Sequence, residues 1–339
     1  MNKKLTIGLV TYNGKKYFSY LFDSLNKQTF KDFKLVILDN ASNKEDIEVL
    51  EAELNKFDFE WELIKQTDND GFAGGHNKIF KDCSSEYYML LNPDMTSVSD
   101  AIQKMINFLD ENKKYQAVAP RLMKWDFENK ELTDYIDTLG LKVCKNRRVT
   151  EIGEWDSWSE KKQRINGEVL EVFGLDGALI MFRVEDMKRI LIDGQLFCGF
   201  FKLYKEDVDL AFRMKSAGLK VCTVLNSVIY HDRTGKGSKK NGMLADLENK
   251  KEQGDYIKYN SYKNQLMVLY SNEYCQNFLL DFPFIFWYEL KKFFYYLIFD
   301  RKVLKGLSEI WKYRKELKNR RGQIKKLRKI NWMGLREWF

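Results

Sequence analysis

Four short apolar runs open the chain, and each ends in a polar turn. Leu5–Thr11 closes at Tyr12-Asn13-Gly14, Phe33–Asp39 at Asn40-Ala41-Ser42, Phe59–Gln66 at a polar, Gly-rich stretch, and Tyr87–Leu91 at Asn92-Pro93-Asp94. Helical patterns separate them. Lys15–Gln28 carries Phe18, Leu21, Phe22 and Leu25 at helical spacing, and residues 44–56, Ile79–Cys83 and Ala101–Leu109 read the same way. Ser42 is placed to cap the helix over 44–56, with Glu45 in the capping-box position. Alternation of short apolar strands with helices predicts an α/β fold with a mainly parallel sheet, flanked by helices on both faces. Ligands in such sheets bind beyond the carboxyl ends of the strands. Asn13, Asp39-Asn40 and Asn92-Pro93-Asp94 are therefore expected to converge on one crevice.

The rest of the chain narrows the function classes. A length of 339 residues, 44% apolar and 31% charged, leaves ample room for a core. The five cysteines include no CxxC pair, which argues against a disulfide framework and a four-cysteine zinc site. Scattered, reduced thiols fit a cytoplasmic protein, and Met1-Asn2-Lys3-Lys4 leads into no secretory h-region. Neither G-x-G-x-x-G nor G-x-x-x-x-G-K-[ST] occurs, against a dinucleotide-binding dehydrogenase and a P-loop NTPase.

Residues 121–170 show little regular pattern. Val172–Arg183 reads as a buried strand kinked at Gly174–Gly177, Glu206–Ser216 as a helix closed by Gly218, and Leu219–Tyr230 as a strand leading to His231. The expected division is a domain over 1–240 and a C-terminal helical region over 241–339. That region contains a helix over 255–271 and the aromatic run Phe278–Phe299. Four charges, Asp281, Glu289, Lys291 and Lys292, interrupt the run, too many for a membrane span. Glu289, Lys292, Tyr296 and Asp300 fall on one helical face, with a broad aromatic face opposite. This describes an interfacial helix, or a core or homodimer helix. Residues 301–330 hold 13 Lys/Arg against 2 Asp/Glu, a local +11 in a chain of net charge +8, so the remainder is mildly acidic. The basic run favours an anionic membrane surface, at the inner face of the cell membrane, over nucleic acid.

Several residues have the chemistry of a site. Asp94 follows a hydrophobic strand, where a carboxylate is placed to hold Mg²⁺ together with phosphate oxygens, although an ordinary N-P-D turn explains the same residues. Asp39 ends its strand as a hydrogen-bond acceptor for a base imide, or as a cap. The loop Asn69–Asn77, with three glycines, offers backbone amides to phosphate, or is a surface loop. Glu206 and Asp207, after an aromatic stretch, form a candidate general-base site, or are dipole partners of a helix start. His231 would need a carboxylate partner to bind a metal, and Asp94 is the candidate.

The ordered set VTYNG (10–14), ILDNAS (37–42), NDGFAGGHN (69–77), LNPD (91–94), GLDGALIMFR (174–183), YKEDVDLAFRMKSAG (204–218) and IYH (229–231) resembles glycosyltransferase family 2, in particular its bacterial rhamnosyltransferase-like branch. The resemblance implies a GT-A fold and an inverting, metal-dependent transfer from a nucleotide sugar. The donor would be dTDP-rhamnose, or otherwise a UDP-sugar, and the acceptor a glycan or lipid-linked chain. A sugar-nucleotide-binding partner of low activity is the alternative. The resemblance further implies that Thr11 and Asp39 contact the base and ribose of the donor, and that Gly74, His76 and Asn77 border the ribose-diphosphate. It places Asn92 at the first position of the family's Asp-x-Asp motif, and Asp94 with His231 on Mg²⁺ or Mn²⁺. Asp207 would be the catalytic base with Glu206 beside it, and Gly177 and Ala178 would lie near the acceptor.

Overall fold

The computed structural model describes residues 2–233 and 254–339. Its first half is the expected alternation. Strands β1 (Leu5–Thr11), β2 (Phe33–Asp39), β3 (Glu60–Lys65) and β4 (Tyr87–Leu91) pair in parallel in the spatial order β3-β2-β1-β4. β1, β2 and β4 read as apolar runs because both their faces are covered, whereas β3, EWELIK, is an edge strand and largely exposed. In β2, Leu35 and Ile37 face one core, shared with Phe18, Leu21 and Phe22 of helix Lys15–Asn26 and with Ile102 and Met105 of helix Ala101–Glu111. Val36 and Leu38 face the other, shared with Ala73, Ile79 and Phe80 and with Leu210 and Met214. The helix over Lys44–Leu54 is capped by Asn43, whose side chain accepts from the Asp46 amide. Ser42, expected as the cap, instead accepts from the Asn13 amide at 2.9 Å and so links two strand-end turns.

The second half departs from the sequence reading. The region expected to be irregular contributes β6 (Tyr115–Asp126) and β7 (Glu131–Thr138) to the sheet, with a small ladder of β8 (Leu141–Val143) and β9 (Val149–Glu151) beside it. The strand expected over Val172–Arg183 is only β11 (Leu179–Arg183). It lies antiparallel between β4 and β6. Residues 172–178 form a loop before it, and β10 (Val169–Glu171) pairs elsewhere, with the long strand β12 (Lys220–His231). Short β5 (Met95–Ser97) also pairs β12, antiparallel, with Met95 opposite His231. The parallel half therefore continues into a mixed half.

The Gly-rich stretch is not a loop but the helix Gly71–Lys81. Its glycines serve close approach: a Cβ on Gly75 would meet Val10 at 2.8 Å, so the helix lies directly on the sheet.

The C-terminal helices Asp255–Asn272, Cys275–Phe299 and Arg314–Leu327 lie against the main body. Met267, Val268, Leu317 and Leu335 share one core cluster with Phe173 and Phe212. Part of the basic tail is structural. Fully buried Asp209 is bound by Arg213 at 2.9 Å, by Arg320, and by the Asn272 amide at 2.9 Å. Arg321 and Arg328 donate to the carbonyl of Glu273. The boundary expected at 240/241 lies outside the described residues.

Candidate active site

Strand ends supply the floor of the crevice. The Asn40 amide donates to the Thr11 carbonyl, and Asp39 Oδ2 accepts from the Ser42 amide at 3.1 Å. The Thr11 hydroxyl is buried with no partner among the described residues. Asn40 Oδ1 accepts from Gln66 and from the Asp70 amide, holding the start of helix Gly71–Lys81 against β2.

The antiparallel partners bring in the distant segments. Leu179 pairs with Leu91, and the Asn92 amide donates to the Ala178 carbonyl at 3.0 Å. Pairing of β5 with β12 sets His231 beside Asp94, with Nε2 3.2 Å from Asp94 Oδ1. On the other side of the ring, Nδ1 donates to Asp137 Oδ2 at 2.9 Å. Burial opposes a charge on His231, yet Asp94 and Asp137 raise its pKa to about 10. Asp137 is fully buried. Burial pushes its carboxyl up, but Arg233, His231 and Lys124 hold it well below the usual range. Arg233 extends the network to Glu151 and to Asp176, each at 2.9 Å. Asp176 in turn accepts from the Ala178 amide at 2.8 Å.

Glu206 and Asp207 open the helix Glu206–Ser216 after two residues in the left-handed region, Tyr204 (φ 69°) and Lys205 (φ 72°). Side chains avoid this conformation, and its strain is tolerated where the surroundings enforce it. Asn264 does so by donating to the carbonyls of Leu203 at 3.0 Å and Tyr204 at 2.8 Å. The strained turn aims Asp207 at the 176–178 loop: a Cβ on Gly177 would stand 3.2 Å from the Asp207 Cβ. Burial, then the charge of Asp176, pushes the Asp207 carboxyl up to about 6. Burial, then Asp207 itself, pushes Glu206 to about 8. Both carboxyls of the pair are thus raised toward neutral pH, so together they hold a proton more readily than two exposed carboxylates would, which suits a base site.

Two expected donor contacts are corrected. His76 is completely buried between Phe72 and Phe197, with Nδ1 on the Tyr88 hydroxyl at 2.9 Å, and burial lowers its pKa to about 3. It is a core residue and does not border the crevice. Asn77 spends both ends of its amide on the Phe197 backbone, at 2.8 and 3.0 Å. Gly74 lies within the same helix, where a Cβ would stand 2.6 Å from the Asp70 Cβ. Thr11, Asp39, Asn92, Asp94, Gly177, Ala178, Glu206, Asp207 and His231 stand at the strand ends or the loops beside them. Sequence reasoning missed Asp137, Asp176, Arg233 and Asn264.

The Asp94–His231 pair fits a divalent cation. Among the described residues no group of three His, Cys, Asp or Glu side chains is placed to hold a metal. The protein would give two ligands, and a bound diphosphate would complete the shell, the usual arrangement for Mg²⁺. Asp137 behind His231 would then act as the outer carboxylate that orients the imidazole, with Nε2 left to face the cation.

The fold is that of the GT-A glycosyltransferases. The chain superposes on GalNAc-T7, solved with UDP, GalNAc and Mn²⁺, at a TM-score of 0.58 and 12% identity, covering 79% of this chain and 48% of that one. It superposes on the mannosyltransferase PcManGT of Pyrobaculum calidifontis, solved with GDP-Man and Mn²⁺, at 0.52 and 14%, covering 91% and 75%. The sequence model of Glycosyl transferase family 2 matches residues 6–209, and the chain belongs to that family. Curated relatives include the teichoic acid poly(glycerol phosphate) polymerase of Staphylococcus epidermidis, 27% identical over 29% of this chain. Another is the poly(ribitol-phosphate) β-N-acetylglucosaminyltransferase TarS of Staphylococcus aureus, 25% identical over 32% of this chain. The matched stretches span only 14% and 19% of those relatives.

Proposed function

We propose that this protein is an inverting glycosyltransferase that moves a sugar from a nucleotide donor onto a hydroxyl of a surface-polysaccharide or lipid-linked acceptor. The observation that carries the reading is the placement of Asp207. It faces Gly177, whose neighbour Ala178 is hydrogen-bonded to Asn92, two residues from the Asp94–His231 pair. A general base and a diphosphate-binding end therefore flank one space.

The donor nucleotide would lie over Thr11 and Asp39, its diphosphate toward Asp94 and His231. The unpartnered Thr11 hydroxyl and the Asp39 carboxylate suit the polar edges of a nucleoside. The acceptor oxygen attacks the anomeric carbon while Asp207 takes its proton. The bond from that carbon to the diphosphate oxygen breaks, its electron pair leaving with the diphosphate. Attack from the face opposite the leaving group inverts the centre, and no covalent enzyme intermediate is needed. A bound Mg²⁺ or Mn²⁺ would neutralise charge on the departing diphosphate.

The motif resemblance favours dTDP-rhamnose as donor. A UDP-sugar is the second reading, favoured by the N-acetylglucosaminyl transfer in the name of the S. aureus relative. Release of nucleoside diphosphate from a panel of dTDP-, UDP- and GDP-sugars, with and without Mn²⁺, tests both. Donor-dependent release that disappears in Asp207→Asn supports the reading. A chain that binds donor but turns over none supports a binding partner instead.

A further inference from the structure

Helix Cys275–Phe299 is amphipathic in the opposite sense to a helix of a water-soluble surface. Asp281, Glu289, Lys292 and Tyr296 face the protein: Asp281 is buried on Arg147 at 3.0 Å and Arg336 at 2.7 Å, Lys292 lies over the Tyr262 ring and bonds Glu289, and Tyr296 packs on Tyr262. Asp300, just past its end, bonds Lys258 at 2.5 Å. The stripe Leu280, Phe284, Trp287, Phe294 and Ile298 is exposed, with Leu279 and Phe299 beside it. Helical spacing of three and four residues makes this one continuous face. Lys291 lies in the same stripe with its ammonium 5.3 Å from the Trp287 ring centre, an arrangement suited to a water–lipid boundary. Apolar faces of this extent mark a binding surface rather than ordinary exposure.

The charge that follows this helix in the chain selects the occupant. Arg301, Lys302, Lys305, Lys312, Lys315, Lys318 and Lys326 follow the helix and are exposed, and Trp311, 71% exposed, stands among them. A second copy of the chain would bring the same positive charge to the same face. An anionic bilayer brings the opposite charge to the lysines and an acyl boundary to the aromatics. No described helix is long and apolar enough to cross a membrane. We propose that helix 275–299 lies in the headgroup plane of an anionic membrane, its Leu280–Ile298 face in the acyl boundary and the exposed basic residues of 301–326 on the lipid phosphates. This holds whether or not the glycosyltransferase reading does.

The test is co-sedimentation of the full chain with vesicles of phosphatidylcholine alone or with roughly one third phosphatidylglycerol, a charge density at which basic segments bind. The variants are the exposed triple Leu280→Ser, Trp287→Ser, Ile298→Ser and the charge variant Lys315→Glu, Lys318→Glu, Lys326→Glu. Melting curves and donor hydrolysis serve as controls for folding and the remote site. The expected result is binding to the anionic vesicles, weakened but not abolished by high salt. The triple should lose at least tenfold in partition and the charge variant should lose most of the salt-sensitive part, with donor hydrolysis unchanged in both. The proposal is overturned if the folded full chain ignores anionic vesicles, if the triple binds as well as the parent, or if sedimentation shows a dimer that persists on vesicles and that the triple dissolves.

Discussion

Asn264 holds the carbonyl of Tyr204 at 2.8 Å, and through it the strained turn that presents Asp207. A side chain on a C-terminal helix thus sets the aim of a group at the end of the family-matched segment. Asn264→Ala should lower kcat by about 10- to 100-fold, the scale of a displaced reacting group, while donor KM changes little. Steady-state kinetics on a folded variant decide this. A KM effect without a kcat effect would mean that the turn serves donor binding.

Asp207→Asn should reduce turnover by about 10²–10⁴-fold with donor affinity retained. In the parent, the ionised form of Asp207 is the active one. With its pKa raised to about 6, kcat/KM should fall as pH drops below that value and level off above it. Loss of that limb in Asp207→Glu, or its survival in Asp207→Asn, would remove Asp207 from the role.

Glu206 should behave differently. Its folded pKa is raised, so the folded chain keeps a proton that the unfolded chain releases above its ordinary carboxyl pKa. This contribution to stability is full at low pH and is lost as pH rises toward about 8. Glu206→Gln should flatten that slope and melt higher than the parent at pH 8, by about 1–3 kcal/mol in denaturant titrations, because no charge has to be buried. Equal slopes for the two proteins would contradict this ionisation.

Chelation should abolish transfer, and Mn²⁺ or Mg²⁺ should restore it through Asp94 and His231. Asp94→Asn and His231→Ala should each raise the metal concentration needed for half-maximal rate by about tenfold or more, and Asp137→Asn by about 10- to 100-fold through His231. Full activity after exhaustive chelation would refute the metal assignment.

Arg320→Ala should destabilise the whole chain by about 3–5 kcal/mol, because it removes a partner from the fully buried Asp209. Urea unfolding followed by two probes measures this. A transition confined to the C-terminal helices would show that they unfold independently.

The parallel half of the sheet was legible because β1, β2 and β4 are apolar at every turn of the pleat, and the polar residues that end them are the crevice floor. Asp94, Asp207 and His231 were legible for the same reason, since each stands at the edge of a clear element. Asp137, Asp176 and Arg233 were not. Each is a single charge in a segment of mixed composition, and their meaning comes from the β5–β12, β6–β7 and β4–β11 pairings that bring Arg233, Asp137 and Asp176 together. His76 misled because three glycines disguised a helix. The spacing of Phe72, Ala73, His76, Ile79 and Phe80 is helical, and it puts the imidazole on the buried side. The tail misled in part because charge counts do not distinguish Arg320, spent on Asp209, from Lys318, which is exposed.

The Asp209–Arg320 contact also has a consequence for biosynthesis. Strands β1 to β4 and their helices come first in the chain, and the core beneath them is closed later by Val118, Leu179 and Val224 of β6, β11 and β12. The helix bearing Asp207 emerges later with Asp209 matched by Arg213 alone, and it gains Asn272 and then Arg320 only as the C-terminal helices are made. Because domains fold N-terminal first during synthesis, the parallel strands can begin to pair early, while the helix that carries Asp207 and Asp209 is locked only when the C-terminal helices dock on it.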